Sequence, residues 1–344
     1  MERIIYLDNS ATTKPCEKAI EQINNALCNN WGNPSSLYSL GLEAELAVTS
    51  ARQTVARKIG AREDEIIFTG SGTEANNTAL MSVLKGRNKK IITTEIEHPS
   101  VLETAKKLES LGFTVVKIGC DGNGVIDLKE LESSLDNNVA LVSVMLVNNE
   151  VGTIQPIKEA SAIIKKLAPN AVFHCDAVQG FGKIPINVKM LGVDMLSASA
   201  HKIHGPKGIG FLYCKKGVKL EPFITGGGQE RGLRSGTESV PLIAGLEGAV
   251  LDLGDVNANL EKINSLNSYA RSAFENSGFI EINSPQDALG YILNISVLGY
   301  RSETLLHFLE RKNIFVSSGS ACAKGETSYV LKALGLNRNV VIPL

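Results

Sequence analysis

The stretch Val139-Ala140-Leu141-Val142-Ser143-Val144-Met145-Leu146-Val147 is almost unbroken apolar sequence, with Ser143 its single polar residue. A strand with one wet face alternates polar and apolar residues. A strand covered on both faces reads as a continuous apolar run, as in a parallel sheet flanked by helices. Runs of the same kind recur on either side of it: Ile66-Ile67-Phe68, Ile91-Ile92-Thr93-Thr94, Val115-Val116-Lys117-Ile118, Val172-Phe173-His174-Cys175, Met195-Leu196 and Ile209 to Tyr213. Helical stretches separate most of them, near 73–85, 99–111, 127–135 and 157–167. Upstream, residues 17–28 place Ala19, Ile20, Ile23, Ala26 and Leu27 on one helical face. A second helix over 43–59 is expected to stop at Gly60, because glycine readily adopts the left-handed conformation that ends helices. This alternation predicts an α/β fold with a mainly parallel central sheet and helices on both faces. Such sheets bind ligands at the carboxyl ends of their strands.

Beyond residue 250 the texture changes. An amphipathic helix over 256–276, a strand from Tyr291 to Val297, a helix over 302–312 and a glycine-serine loop predict a smaller α+β domain. Residues 14–250 are therefore expected to form the large domain, and residues 1–13 with 251–344 the smaller one.

A chain of 344 residues with 43% hydrophobic composition can bury a large core. Its net charge of −1, with Lys and Arg dispersed, gives no electrostatic support to a nucleic-acid or anionic-membrane partner. No apolar run reaches bilayer-spanning length and Met1-Glu2-Arg3 opens no signal peptide, so a cytoplasmic enzyme is expected. The six cysteines stand as singles without a Cys-x-x-Cys pair, which fits a reducing compartment rather than a disulfide framework or a zinc site. Cys16, Cys28, Cys120, Cys175 and Cys214 read as ordinary packing. Cys322 differs, because it lies in a small, polar loop, Ser317-Ser318-Gly319-Ser320-Ala321-Cys322-Ala323-Lys324-Gly325-Glu326. A loop of this composition buries a thiol poorly and can present a reactive thiolate.

Three further segments carry chemistry. Thr69-Gly70-Ser71-Gly72-Thr73-Glu74-Ala75-Asn76 follows a strand and opens a helix, so its backbone N–H groups and hydroxyls can bind a phosphate; alone it also reads as a plain turn. Asp176-Ala177-Val178-Gln179 puts a carboxylate at the tip of a buried strand, where it needs either a cation or a helix to cap. Ser197-Ala198-Ser199-Ala200-His201-Lys202-Ile203-His204-Gly205 surrounds one lysine with small residues, leaving room for a bulky ring beside an amine. His201 and His204 lack a third ligand of matching spacing, so no metal is expected.

Together these segments resemble the cysteine desulfurases, in the class V group of fold-type I pyridoxal-phosphate enzymes. The resemblance spans nearly the whole chain. It includes Tyr6-Leu7-Asp8-Asn9-Ser10-Ala11-Thr12-Thr13, Gly32-Asn33-Pro34-Ser35-Ser36, Glu97-His98, Val147-Asn148-Asn149-Glu150-Val151-Gly152 and Gly226-Gly227-Gly228-Gln229-Glu230-Arg231-Gly232-Leu233-Arg234-Ser235-Gly236-Thr237. It implies pyridoxal 5'-phosphate held as a Schiff base on Lys202, with Lys202 later moving the Cα proton. His98 is implied to stack on the pyridine ring and to take part in proton transfer. Asp176 would pair with the ring nitrogen, Gln179 with the phenolic oxygen, and Asn149 with a ring oxygen or the substrate carboxylate. Gly72 and Thr73, with Ser199 and His201, would bind the phosphate. Thr237 would reach the phosphate of the neighbouring subunit, which implies a homodimer with shared active sites. Cys322 would attack the sulfur of L-cysteine bound to the cofactor, leaving alanine and a persulfide for an unidentified sulfur acceptor serving iron–sulfur cluster assembly or tRNA or cofactor thiolation.

Two departures qualify what the resemblance implies. Only Ala323 to Thr327 separate Cys322 from Ser328-Tyr329-Val330-Leu331, a short tether. The sequence after Val330-Leu331-Lys332-Ala333-Leu334-Gly335-Leu336 lacks the family's Ser-Ile-Arg segment, and Arg338 does not occupy its motif position. The substrate carboxylate is thus expected to find its cation in a continuation of the chain, in another residue or in the partner subunit. Competing readings are a selenocysteine lyase, an aminotransferase, or a cofactor-binding homologue acting as a sulfur-relay partner.

Overall fold

The computed structural model describes residues 4–317, 328–336 and 342–343. Its strands are β1 (Ile5–Tyr6), β2 (Ile66–Thr69), β3 (Lys90–Thr94), β4 (Thr114–Ile118), β5 (Val139–Ser143), β6 (Val172–Asp176), β7 (Met195–Ser199), β8 (Gly210–Cys214), β9 (Ile280–Ile282), β10 (Asn294–Val297), β11 (Ile314–Phe315) and β12 (Ile342–Pro343). Its α-helices are α1 (Glu17–Asn29), α2 (Ser39–Ile59), α3 (Gly72–Met81), α4 (Pro99–Ser110), α5 (Leu128–Ser134), α6 (Ile157–Leu167), α7 (Val188–Leu191), α8 (Val240–Asp252), α9 (Val256–Glu275), α10 (Ser302–Glu310) and α11 (Tyr329–Ala333).

The central sheet has seven strands in the order β2-β8-β7-β6-β5-β3-β4. The pairs from β7 through β6, β5 and β3 to β4 are parallel, and β8 runs antiparallel to both β7 and β2. Every residue of β5, β7 and β8 is buried, which explains why their sequences do not alternate. The mainly parallel α/β architecture read from the sequence is therefore present.

The run from Val139 to Val147 differs from its expected extent, because β5 ends at Ser143. From there the chain keeps β6 as a partner on one side, through Val144 N–H to His174 O (3.1 Å) and Leu146 N–H to Asp176 O (2.8 Å). On the other side the Met145 N–H turns to a Glu97 carboxyl oxygen at 2.8 Å. Apolar character continued past the strand because the bend is as buried as the strand. Helix α2 starts at Ser39, four residues before the expected start, and ends where expected: Gly60 has φ +68° and its N–H reaches Ala56 O.

Phe173, Phe181 and Phe211 sit at the centre of the core, with the last two edge-to-face at 5.0 Å between ring centroids. Helix α8, apolar almost all round, packs on α1 and α2. The α1–α8 approach requires glycine, since a Cβ at Gly248 would lie 2.7 Å from Lys18 O. Two smaller sheets, β12-β10-β9 and β1-β11, lie outside the seven-stranded one, and β1 joins the first strand of the chain to residues 314–315 in parallel. Among the described residues no helix is long and apolar enough to cross a membrane.

Candidate functional site

The carboxyl ends of the parallel strands and the loops after them converge on one cavity of about 350 Å³. Gly72 and Thr73 follow β2, His98 follows β3, Asn149 follows β5, Asp176 and Gln179 end β6, and Ser199, His201 and Lys202 end β7; all line this cavity. Nine of the residues singled out from the sequence are thus brought together: Gly72, Thr73, His98, Asn149, Asp176, Gln179, Ser199, His201 and Lys202. Thr237 is not among the lining residues and is exposed. Cys322 lies outside the described residues; Ser317, five positions before it, lines the cavity.

Local sequence explains each placement. Ser71 caps α3 by accepting from Glu74 N–H at 3.1 Å, which leaves the Gly72 and Thr73 N–H groups at the mouth of a helix start, a favourable place for an anion. Gly72 is obligatory there, because a Cβ would meet Val178 Cγ2 at 2.7 Å and Ser199 Cβ at 3.3 Å. The Ser199 hydroxyl oxygen is buried and has no hydrogen-bond partner among the described residues. A buried hydroxyl beside a helix start is a vacant donor for an anionic oxygen.

Asp176 is 4% exposed and makes no ion pair among the described residues. Its two carboxylate oxygens accept from Asn76 Nδ2 at 2.6 Å and Val178 N–H at 2.9 Å. A carboxylate held this way at the floor of a cavity invites a cationic ligand atom. Burial pushes the His98 imidazole pKa down, the Asp176 charge raises it and the Lys202 charge lowers it further. His201, hydrogen-bonded at 3.2 Å to Thr12 Oγ1, is pushed down to about 4, chiefly by burial with Lys202, Lys207 and Lys183 adding to it.

Lys202 stands in a short 3₁₀ turn after β7, and its Nζ donates to the carbonyl oxygens of Ser10 and Ala11. Gln179 Nε2 donates to the same Ser10 oxygen at 2.9 Å, while Gln179 Oε1 accepts from Lys183 Nζ at 2.8 Å. Burial pushes Lys183 down to about 7, and Lys202 adds to the shift.

Several participants escaped the sequence reading. Asn76 and Ser100 link the sides of the site through Asp176 and His98, Lys183 orients Gln179, and the Ser10 and Ala11 carbonyls hold Lys202. Asn76, Ser10 and Ala11 lie inside segments already recognised as informative, and Lys183 stands four residues beyond Gln179; their signal was proximity to a recognised residue rather than a motif of their own. Glu97 was paired with His98 in the reading, yet its environment was not legible. It is fully buried, accepts from Met145 N–H and from Thr94 Oγ1 at 3.0 Å, and is pushed by burial up to about 8, with Asp176 contributing.

Comparison with known proteins follows the same lines. The model of the aminotransferase class-V family matches residues 5–340. A cysteine desulfurase of Trichormus azollae is 44% identical over 97% of this chain and 84% of its own. Among solved structures, a NifS-like protein superposes with TM-score 0.94 at 40% identity, covering 99% of this chain and 93% of that one. SspA in complex with cysteine superposes with TM-score 0.87 at 33% identity, covering 98% and 97%.

Proposed function

The chain belongs to the aminotransferase class-V family, in the group of the cysteine desulfurases, and on that premise we propose that it is a pyridoxal-phosphate-dependent cysteine desulfurase. The observation that carries this reading is the meeting, in one cavity, of the Lys202 amine, the Asp176 carboxylate, which makes no ion pair among the described residues, and a helix-start anion cradle. Those three groups match in chemistry a cofactor aldehyde, a protonated pyridine nitrogen and a phosphate. When bound, the cofactor supplies an electron sink for charge developing at the substrate Cα.

The chain's own residues do the rest. Lys202 tethers the cofactor and afterwards carries the Cα proton. Asp176, held by Asn76 and Val178, keeps the ring nitrogen protonated. Gly72, Thr73, Ser199 and His201 would hold the phosphate, Gln179 would contact the phenolic oxygen, and His98 would cover the ring. Asn149, whose Oδ1 is buried without a partner among the described residues, meets a ring oxygen or the substrate carboxylate. Cys322, as thiolate, attacks the sulfur of L-cysteine; the Cβ–S bond breaks, the sulfur stays on Cys322 as a persulfide, and the carbon skeleton takes protons to leave as L-alanine. An unidentified protein acceptor of the cytoplasm then removes the sulfur for iron–sulfur cluster assembly or thiolation.

Thr237, exposed and away from its own subunit's cavity, is available to complete the phosphate site of a second copy. Exposed Trp31, Leu37, Tyr38, Leu42 and Leu46 offer apolar surface for such a homodimer.

The test is direct. Protein reconstituted with pyridoxal phosphate should be yellow, and L-cysteine should yield alanine and, with a reductant, sulfide. Cys322→Ala should lose both products while keeping the colour. A Cys322→Ala protein that forms alanine from cysteine at full rate would overturn the desulfurase reading, and a reconstituted protein without visible absorbance would remove the cofactor reading as well.

A further inference from the structure

His98 caps its own helix. Its Nδ1 accepts the Ser100 backbone N–H at 3.1 Å and lies 2.8 Å from Ser100 Oγ, at the positive end of α4. Which atom donates in the second contact follows from the next link. Asn76 Nδ2 donates to Asp176 Oδ2 at 2.6 Å and also to Ser100 Oγ at 2.8 Å. Rotating the Asn76 amide would set its oxygen against a carboxylate, so the donor assignment is fixed by charge rather than by convention. Ser100 Oγ accepts from Asn76, and Nδ1 already accepts the Ser100 N–H and so carries no proton of its own; the hydroxyl proton therefore turns toward His98 Nδ1. Nδ1 therefore faces two donors, one of which is backbone and cannot reverse.

We propose that Asn76 and Ser100 are positioning residues that hold His98 as the neutral imidazole with its proton on Nε2, so that His98 acts in the site as a hydrogen-bond donor and not as a base. The charged groups acting on it are Asp176 from β6 and Lys202 from the turn after β7, which pull in opposite directions. Burial shifts the balance toward the neutral ring, in agreement with the geometry. The consequence for catalysis rests on the desulfurase reading above: proton removal from the substrate falls to Lys202, and His98 contributes an Nε2–H. The chain Asp176–Asn76–Ser100–His98 also ties the expected ring-nitrogen partner to the expected ring cover, so the two are set as one unit.

The chain has five histidines, which makes the proton directly observable. In holoenzyme labelled with ¹⁵N in the imidazoles, long-range ¹H–¹⁵N correlation separates the two neutral tautomers and the cation, and His98→Gln assigns the His98 signals. The expected result is the Nε2–H tautomer at neutral pH and above. Ser100→Ala should raise the His98 midpoint by about one unit, as expected for loss of one donor to the neutral ring, and Asn76→Ala should move it in the same direction. Ser100→Thr keeps the hydroxyl and should restore the wild-type midpoint. A cationic His98 at neutral pH, or one protonated on Nδ1, overturns the proposal. So does a midpoint that Ser100→Ala and Asn76→Ala both leave unmoved. The readout needs no turnover, so a protein inactive toward cysteine would refute the desulfurase reading while leaving the tautomer result standing.

Discussion

Glu97 and His174 are both fully buried, and burial holds both in their neutral forms near neutral pH, with opposite consequences for stability. The unfolded chain ionises Glu97 near its usual 4.5, whereas the native state keeps the proton to about 8. Stability from this group is therefore fully present below about 4.5 and lost as pH rises through about 8. His174 sits between the Ser143 and Ser197 hydroxyls at 2.9 Å on each side, and burial pushes it from 6.5 down to about 3. Its contribution is present above 6.5 and lost as pH falls toward about 3. We expect Glu97→Gln to flatten the decline between about pH 4.5 and about pH 8, gaining on the order of a few kcal/mol relative to wild type at about pH 8 minus whatever the changed Met145 contact costs; denaturant titrations at several pH values measure this. The recognised residues, Lys202 and Asp176 among them, were legible because a titratable group at a strand's carboxyl end stands out against apolar sequence. Asn76, Ser100 and Lys183 act through residues 24 to 100 positions away or, for Lys183, through a residue four positions back, and their polarity alone does not distinguish them from surface residues.

At the scale of elements, the start of α3 and the segment Glu230–Gly232 show two ways of building a site. Helix α3 depends on absence of a side chain, because Gly72 leaves just enough room for Val178 and Ser199. Gly72→Ala should therefore weaken pyridoxal-phosphate binding by about tenfold or more, measured by absorbance titration of the apo protein, with a smaller loss of thermal stability. The segment Glu230–Gly232 depends on charge. Glu230 and Arg231 take left-handed φ values of 48° and 59°, and Glu230 makes a two-pronged pair with Arg52 at 2.7 and 2.8 Å while accepting the Phe68 N–H at 3.1 Å. The Glu230 side chain is 2% exposed, so Arg52→Ala strands a buried carboxylate and should cost about 3 kcal/mol in chemical denaturation. Helix and strand identities were legible from periodicity. Their ends were less so, as β5 shows, since a buried bend and a buried strand select the same apolar residues.

For the whole molecule, the alternation of strands and helices was enough to read the α/β sheet, because most crossovers carry a helix long enough to show its period; the four-residue α7 between β6 and β7 is too short to do so. Surface function was harder to read: Leu42 and Leu46, one turn apart on α2, are 53% and 59% exposed, although a helical pattern would assign such residues to the core. We expect sedimentation to report about twice the 36.8 kDa chain mass, and Leu42→Glu with Leu46→Glu to yield monomers with reduced desulfurase activity. Monomers of full activity would remove the shared-site reading. Limited proteolysis near residue 250 would test the proposed division of the chain.

The contacts that hold Lys202 also impose an order on biosynthesis. Thr13 N–H donates to His201 O and Cys16 N–H to His204 O, each at 2.9 Å, and Lys202 Nζ reaches back to Ser10 and Ala11. In synthesis Thr13 and Cys16 thus wait for partners nearly 190 residues later, roughly 10–40 s at ordinary ribosomal speed. Until then the apolar residues beside them, Ile4 to Leu7, are open to chaperones. Slower synthesis between residues 16 and 204 lengthens that interval in proportion.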